Sequence, residues 1–170
     1  MQLIKRATLL PLVLSFFFAP IALGLNEAPS KTSDLLFQSY QPSSAAAKTQ
    51  AKVIYYREKN GKEKEPAANV YVDGHFHTTL MPGSYTVFCI SPGQHVLGAY
   101  EHDAPLYVGK SKESHHMLLE AGKTYFVKNP VDASGVPVEI KRAEAELSLK
   151  KLNKQQRFVS RAPIQSCITQ

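Results

Sequence analysis

Pairs of turn-forming residues recur at intervals of nine or ten residues in the middle of the chain: Asp73-Gly74, Pro82-Gly83 and Pro92-Gly93. Asp-Gly suits a type I′ hairpin because both central residues take a positive φ, and in Pro-Gly the proline fixes the first φ while glycine accepts a positive second one. The runs between the pairs are rich in β-branched and aromatic residues. Short strands with turns about every eight to twelve residues are typical of an antiparallel sandwich or barrel, and we predict a mainly β, small antiparallel β-sandwich.

Further β-prone runs extend this pattern from residue 52 to residue 141: Lys52–Arg57, Val70–Val72, His75–Leu80, Tyr85–Ile90, His95–Tyr100, Ser114–Leu119, Thr124–Lys128 and Val136–Lys141. The charged stretch Glu58–Glu65 contains Asn60-Gly61 and is interpreted as a solvated hairpin loop. Residues 142–152 consist mostly of strong helix formers, with acidic residues early and lysines late. This order suits the helix dipole and predicts one C-terminal helix.

The composition divides the chain into four segments. Residues 25–51 are rich in Ser, Ala, Pro, Lys and Gln, and they are predicted to form a flexible tether because they lack an apolar period. Within the tether, the apolar stretch Leu35–Tyr40 is expected to pack either on the domain or on a partner. The predicted boundaries are a signal peptide at 1–24, the tether at 25–51, the sandwich at 52–141, and a helix with a disulfide-tied tail at 142–170.

The first segment has the three-part pattern of a secretory signal peptide. A basic start at Lys5 precedes the apolar run Leu9–Phe18, and small residues end the segment at Gly24. The alternative is an uncleaved membrane anchor, because the apolar stretch Ala7–Leu25 is nearly long enough to span a bilayer. Prolines such as Pro11 break a long helix and favour cleavage after Gly24. We expect export to the periplasm or cell envelope of a bacterium.

The chain contains two cysteines, Cys89 in a predicted strand and Cys167 close to the C-terminus. In an exported chain two cysteines most simply form a disulfide. This bridge would close a loop of about 80 residues, for which the chain-entropy model gives at most ~4.5 kcal/mol of stability. A catalytic thiol is disfavoured because no C-x-x-C pair or activating group accompanies either cysteine.

A longer pattern contains these turns. The segment Val70–Gly74, followed by Gly83-Ser84-Tyr85 and by Pro92–Leu97, resembles the PEGA-type repeat, which runs roughly V-x-V-D-G, a turn, G-x-Y and P-G-x-H. The same order is similar to a family of uncharacterised small exported bacterial domains. The resemblance covers about residues 52–130 and implies a small β-sandwich of the transthyretin or immunoglobulin kind with a role in cell-envelope adhesion or scaffolding. Its motifs are turn signatures, so the resemblance implies no active residue.

Six histidines suggest a metal site as an alternative. His75 and His77 stand two apart on a predicted strand, so their side chains would share one face and one cation. Candidate third ligands are His95, His102, Asp103 and His115. Because no ligand set has the fixed spacing of a zinc motif, exposed or hydrogen-bonded strand histidines are the favoured interpretation. A periplasmic metal-binding protein is the alternative function.

No motif indicates an enzyme or a cofactor. The sequence lacks G-x-S-x-G, H-E-x-x-H, a Walker-type loop and G-x-G-x-x-G, so we predict a non-catalytic chain without a cofactor. The formal net charge of +6 is mild, and nucleic acid is not expected as a partner of an exported chain. Lysines and an arginine cluster at the end of the predicted helix, within Lys150–Arg157. They are interpreted mainly as helix-dipole complementation, with peripheral contact to anionic lipid, polysaccharide or an acidic partner as the alternative.

An interaction module is the remaining function. Small sandwiches commonly bind partners by adding a strand at a sheet edge, and the apolar stretches Val53–Tyr56 and Leu35–Tyr40 are the candidate docking segments. We therefore predict a non-catalytic cell-envelope binding or scaffold module, accessory to outer-membrane or adhesin assembly. Its expected partner is an envelope or outer-membrane protein.

Overall fold

The computed structural model describes residues 37–101, 113–130, 134–156 and 159–168, all within one compact unit, Lys31–Gln170. The predicted signal peptide and residues 25–36 of the predicted tether lie outside the described residues. The strands are β1 (Phe37–Ser39), β2 (Ala51–Arg57), β3 (Ala68–Val72), β4 (His75–Leu80), β5 (Ser84–Ile90), β6 (Gly93–Tyr100), β7 (His116–Leu119), β8 (Thr124–Lys128), β9 (Val138–Ile140) and β10 (Asn153–Gln155). Helix α1 spans Arg142–Leu149, and a 3-10 turn spans Glu113–His115.

The larger sheet contains six strands in the order β1-β10-β5-β2-β8-β9. Its centre is the antiparallel pair β2–β5, in which Ala51 lies opposite Ile90 and Arg57 lies opposite Ser84. Two of its neighbouring pairs, β2 with β8 and β10 with β5, are parallel, so the sheet is mixed. A parallel pair needs a long crossover connection. For the pair β2–β8, the crossover is the chain between these two strands, which contains β5 and all four strands of the smaller sheet.

The smaller sheet has the order β4-β3-β6-β7, with antiparallel pairs throughout. Strands β3 and β4 form the predicted hairpin, in which Asp73 and Gly74 have φ of 52° and 77°, as a type I′ turn requires. The Asp73 carboxylate joins this turn to β6, since it accepts a hydrogen bond from the Val96 amide at 2.9 Å and lies 2.8 Å from His95 Nδ1. The aspartate and histidine of the predicted turn motif therefore meet in a structural contact.

The two Pro-Gly turns connect strands of different sheets. Pro82-Gly83, with Gly83 at φ 75°, leads from β4 to β5, and Pro92-Gly93 leads from β5 to β6. The predicted hairpin at Glu58–Glu65 is wrong, because this loop joins β2 in the larger sheet to β3 in the smaller one. Asn-Gly reverses the chain locally but does not decide which strands pair.

The main core lies between the two sheets. Alternate residues of the central strands point into it, for example Val53 and Tyr55 of β2 and Phe88 of β5, against Leu97 of β6. The described part of the chain is thus a mainly β structure, a small sandwich with one α-helix, which confirms the predicted fold class.

A second apolar cluster covers the outer face of the larger sheet. Helix α1 contributes Ala145 and Leu149, which pack on Ile54, Tyr56 and Phe126. Strand β2 is consequently buried along its whole length, since it is covered on both faces. No helix among the described residues is both long and apolar enough to cross a bilayer.

The described part of the predicted tether is attached to the domain instead of being a free linker. Strand β1 pairs antiparallel with β10, and Tyr40, Ala46 and Ala47 are buried. The ammonium group of Lys52 donates a hydrogen bond to the Ser44 carbonyl at 2.8 Å. The tether was predicted from its low apolar content, but single buried side chains and backbone hydrogen bonds are sufficient to hold this segment.

Candidate functional site

The N-terminal segment and the C-terminal tail meet at a cavity on the outer face of the larger sheet. We call it the Lys52 cavity; its volume is about 250 Å³. Its lining residues come from the N-terminal segment, three neighbouring strands and the C-terminal tail: Tyr40, Gln41, Ser43, Ser44, Lys52, Ile54, Tyr85, Val87, Lys154, Cys167 and Ile168. The register places Ile54 opposite Val87 and Tyr85 beside Lys154, and paired residues share a face of the sheet. The floor of the cavity is therefore built on the strands β2, β5 and β10.

Lys52 is a buried cation of this floor, near the start of β2, with only 4% of its surface exposed. Its Nζ donates hydrogen bonds to the Ser44 carbonyl at 2.8 Å, to Ser44 Oγ at 3.2 Å and to the Ala45 carbonyl at 3.3 Å. All three acceptors are uncharged. Burial, together with the positive charges of Arg142 and Lys154, lowers the pKa of Lys52. The cavity therefore contains a positive charge that costs free energy to bury, and no carboxylate of the described residues is hydrogen-bonded to it.

Lys154 contributes a second cation at the wall of the cavity. It lies on β10, between β1 and β5, and is partly buried. Among the residues that the structure describes, its ammonium group makes no hydrogen bond or ion pair. Lys154 belongs to the basic cluster that the sequence predicts at the end of the helix, but α1 ends at Leu149 and Lys154 lies on a strand. Its donors are available to a ligand.

Two tyrosines supply aromatic surface beside these cations. Their rings, Tyr40 and Tyr85, meet edge to face with 5.6 Å between the centroids. Burial raises the pKa of Tyr85 to about 12 and also raises the pKa of Tyr40, so both phenols are neutral at physiological pH. The Tyr40 hydroxyl lies 3.4 Å from Glu146 Oε1, which also accepts a hydrogen bond from Arg142 at 3.0 Å. The carboxylate nearest to the tyrosine is thus already paired with an arginine.

The predicted disulfide is confirmed, and it fixes the tail wall of the cavity. Cys89 and Cys167, 78 residues apart, are bonded to each other. The tail is also held through its backbone, because Gln165 N donates to the Cys89 carbonyl at 2.7 Å. Gln50 adds a side-chain hydrogen bond to Gln165 at 2.8 Å. The wall that contains Cys167 and Ile168 is therefore anchored at several points.

A more open cavity of about 490 Å³ adjoins the first one, since both are lined by Val87, Lys154 and Cys167. This second cavity runs along β5. At one end Ser84 and Tyr85 pair with β10, and at the other end Cys89 pairs with the C-terminal tail. Lys154 thus lines both cavities.

The structure does not bring the predicted metal ligands together. His75 is exposed, whereas His77 is fully buried, with Nδ1 3.1 Å from Ser160 Oγ and Nε2 3.3 Å from Thr86 Oγ1. Burial lowers the pKa of His77 to about 4. Among the described residues, no three His, Cys, Asp or Glu side chains are placed to hold a metal ion.

Two of the four candidate third ligands make other contacts. His95 contacts Asp73, and His115 Nδ1 donates to the Leu97 carbonyl at 3.0 Å. His102 and Asp103 lie outside the described residues.

The prediction that Val53–Tyr56 docks a partner as an edge strand is wrong. These residues belong to β2, which has β5 on one side and β8 on the other, and all four are buried. The terminal strands of the larger sheet are β1 and β9. The aromatic and β-branched composition that suggested docking instead reflects burial on both faces.

Lys52 and Lys154 were not predicted as site residues. The only sequence signals are that Lys52 begins a predicted strand that is otherwise mostly apolar and that Lys154 belongs to a basic cluster. Neither signal shows that the two ammonium groups share one cavity, because the strands β2 and β10 are about 100 residues apart in the chain. No family model matches the chain, and no curated protein or solved structure matches it either.

Proposed function

We propose that the chain is an exported, non-catalytic binding module of the bacterial cell envelope and that the Lys52 cavity is its binding site. The observation that carries the proposal is the Cys89–Cys167 disulfide, which anchors one wall of that cavity. Disulfides form and persist in oxidising compartments outside the cytosol. The leader-like pattern of residues 1–24 independently supports export.

The chemistry of the cavity supports binding in preference to catalysis. The polar side chains of its described lining residues are two ammonium groups, serine hydroxyls, neutral phenols and the amide of Gln41. Nucleophilic catalysis would need a base within hydrogen-bond reach of a nucleophile and a third group that orients the base. Lys52 Nζ lies 3.2 Å from Ser44 Oγ, but it donates to that oxygen and to the Ser44 and Ala45 carbonyls. These three hydrogen bonds hold it as a donor that fixes the cavity wall, which is a structural role. We therefore propose a preformed binding surface.

A metal-binding function is less well supported than this one. Each ring nitrogen of His77 lies within hydrogen-bond distance of a hydroxyl group, and the ring packs edge to face on Phe88 at 4.7 Å. Its neighbour His75 is exposed. These contacts support a structural histidine.

A scaffold role toward an envelope or outer-membrane protein is part of the proposal. Strand β1 ends the larger sheet, and a terminal strand can pair with a strand of another chain. Its attachment through β10 places it next to Lys154, so a docked strand would lie near the cavity.

Export can be tested in bacterial cells that express the full chain. After fractionation, free thiols are alkylated before and after reduction, and the N-terminal peptide is identified by mass spectrometry. We expect the protein in the periplasmic or envelope fraction, an N-terminus at Leu25, and cysteines that react only after reduction. The control is the double variant Leu12→Lys/Leu14→Lys, which interrupts the apolar run and should leave a cytosolic chain with reactive thiols. A wild-type chain with Met1 intact and two free thiols contradicts the proposal.

A further inference from the structure

We propose that the Lys52 cavity binds a small organic anion, an apolar body that carries one carboxylate. This inference rests on the proposed function, because it takes the cavity as the binding site and names the class of ligand. It is drawn from the charge of the cavity, its apolar lining and its size.

The charge of the cavity favours an anion. Lys52 and Lys154 both line it, and Arg142 is close enough to lower the pKa of Lys52 further. No aspartate or glutamate is among the lining residues that the structure describes. Glu146, next to Tyr40, is engaged by Arg142. A ligand carboxylate would therefore supply the opposite charge that the described residues do not place in the cavity.

The two lysines would act differently on this ligand. The Nζ of Lys52 already makes three hydrogen bonds to Ser44 and Ala45, so it contributes its charge at short range. Lys154 makes no such contacts among the described residues and can donate directly to a carboxylate oxygen. Lys154 is accordingly the residue whose removal should weaken binding without loosening the segment that Lys52 holds.

The remaining lining selects an organic ligand over an inorganic one. Val87 and Ile168 provide aliphatic surface, and the accessible edges of Tyr40 and Tyr85 add aromatic surface above the fully buried Ile54. A volume of about 250 Å³ lies just below the range of about 300–1,000 Å³ that is usual for drug-sized ligands, so the cavity suits a small organic molecule. Inorganic phosphate would fill only part of this space and would leave the apolar surface uncovered.

The test is isothermal titration calorimetry on the purified, disulfide-bonded protein at low ionic strength, with three probe ligands. Benzoate carries the proposed carboxylate on a ring of suitable size, benzamide has the same shape without the charge, and inorganic phosphate has charge without the apolar body. Each probe is titrated into the wild type, Lys154→Met and Lys150→Met. Lys150 is exposed at the end of α1 and does not line the cavity, so its substitution changes the net charge equally and serves as the matched control.

We expect benzoate to bind more tightly than benzamide and phosphate. The Lys154→Met variant should weaken benzoate binding about tenfold or more, the usual cost of losing a charge-assisted hydrogen bond, and should leave benzamide unchanged. The Lys150→Met variant should change the affinity less than twofold. Equal binding of benzoate and benzamide, tighter binding of phosphate, or equal effects of the two lysine variants overturns the inference. Because these titrations use purified protein, they can fail while export is verified in cells, and the reverse also holds.

Discussion

Acidification should destabilise the fold through the buried ring of His77. This side chain has no exposed surface, and burial lowers its pKa from 6.5 to about 4. In the unfolded chain the ring takes up a proton below about pH 6.5, whereas in the folded chain it stays neutral until about pH 4. The unfolded state therefore binds more protons between these values, and the free energy of unfolding decreases as the pH falls through this window.

The size of the effect follows from the shift. At about 1.4 kcal/mol per unit of pKa, His77 alone should cost about 2 kcal/mol of stability between pH 7 and pH 5, and about 3 kcal/mol by pH 4. Between pH 7 and pH 5 the pH dependence of stability reports on the histidine and not on carboxylates such as Glu58, because hydrogen bonds from Lys128 and Ser148 lower the pKa of Glu58.

Urea unfolding at pH 7, 6 and 5, with the disulfide intact, measures this loss. The variant His77→Gln should be less stable at pH 7 but should lack about 2 kcal/mol of the decrease between pH 7 and pH 5. His75→Gln is the matched control, since His75 is exposed two residues away on the same strand, and it should retain the wild-type pH dependence. An unchanged pH dependence in His77→Gln would refute the reasoning from burial.

The attachment of helix α1 yields two further predictions. Leu149→Ala should lower the free energy of unfolding by about 3 kcal/mol, because this fully buried side chain packs against the outer face of the larger sheet. Leu147→Ala, on the same helix but 64% exposed, should change it by no more than about 0.5 kcal/mol. Urea unfolding at pH 7 measures both, and equal losses would show that the helix does not pack as described.

Local chemistry explains why so many elements could be predicted from the sequence. Asp73-Gly74 needs positive φ at both residues, and few other residue pairs accept that conformation. The strand Ser84–Ile90 and the helix from Arg142 were likewise encoded by their own composition. In each case the relevant interactions lie within a few residues of one another.

Long-range pairing explains what the sequence did not show. The loop Glu58–Glu65 has the composition of a hairpin, yet β2 pairs with β5 and β8 because burial on both faces favours its apolar side chains at the centre of the larger sheet. The Lys52 cavity depends on Tyr40, Lys154 and Cys167 arriving at one sheet face from distant parts of the chain. The disulfide was the one long-range contact predictable from the sequence, because only one pairing of two cysteines exists.

The most direct measurement of ligand binding at the cavity is an NMR experiment on the disulfide-bonded protein saturated with benzoate. Intermolecular nuclear Overhauser effects between the benzoate ring protons and assigned methyl groups locate the ligand. We predict contacts to the methyl groups of Val87 and Ile168, which line the cavity and are not buried. Contacts confined to exposed side chains elsewhere, such as Leu118 on β7 and Leu147 on α1, would contradict the assignment of this cavity as the binding site.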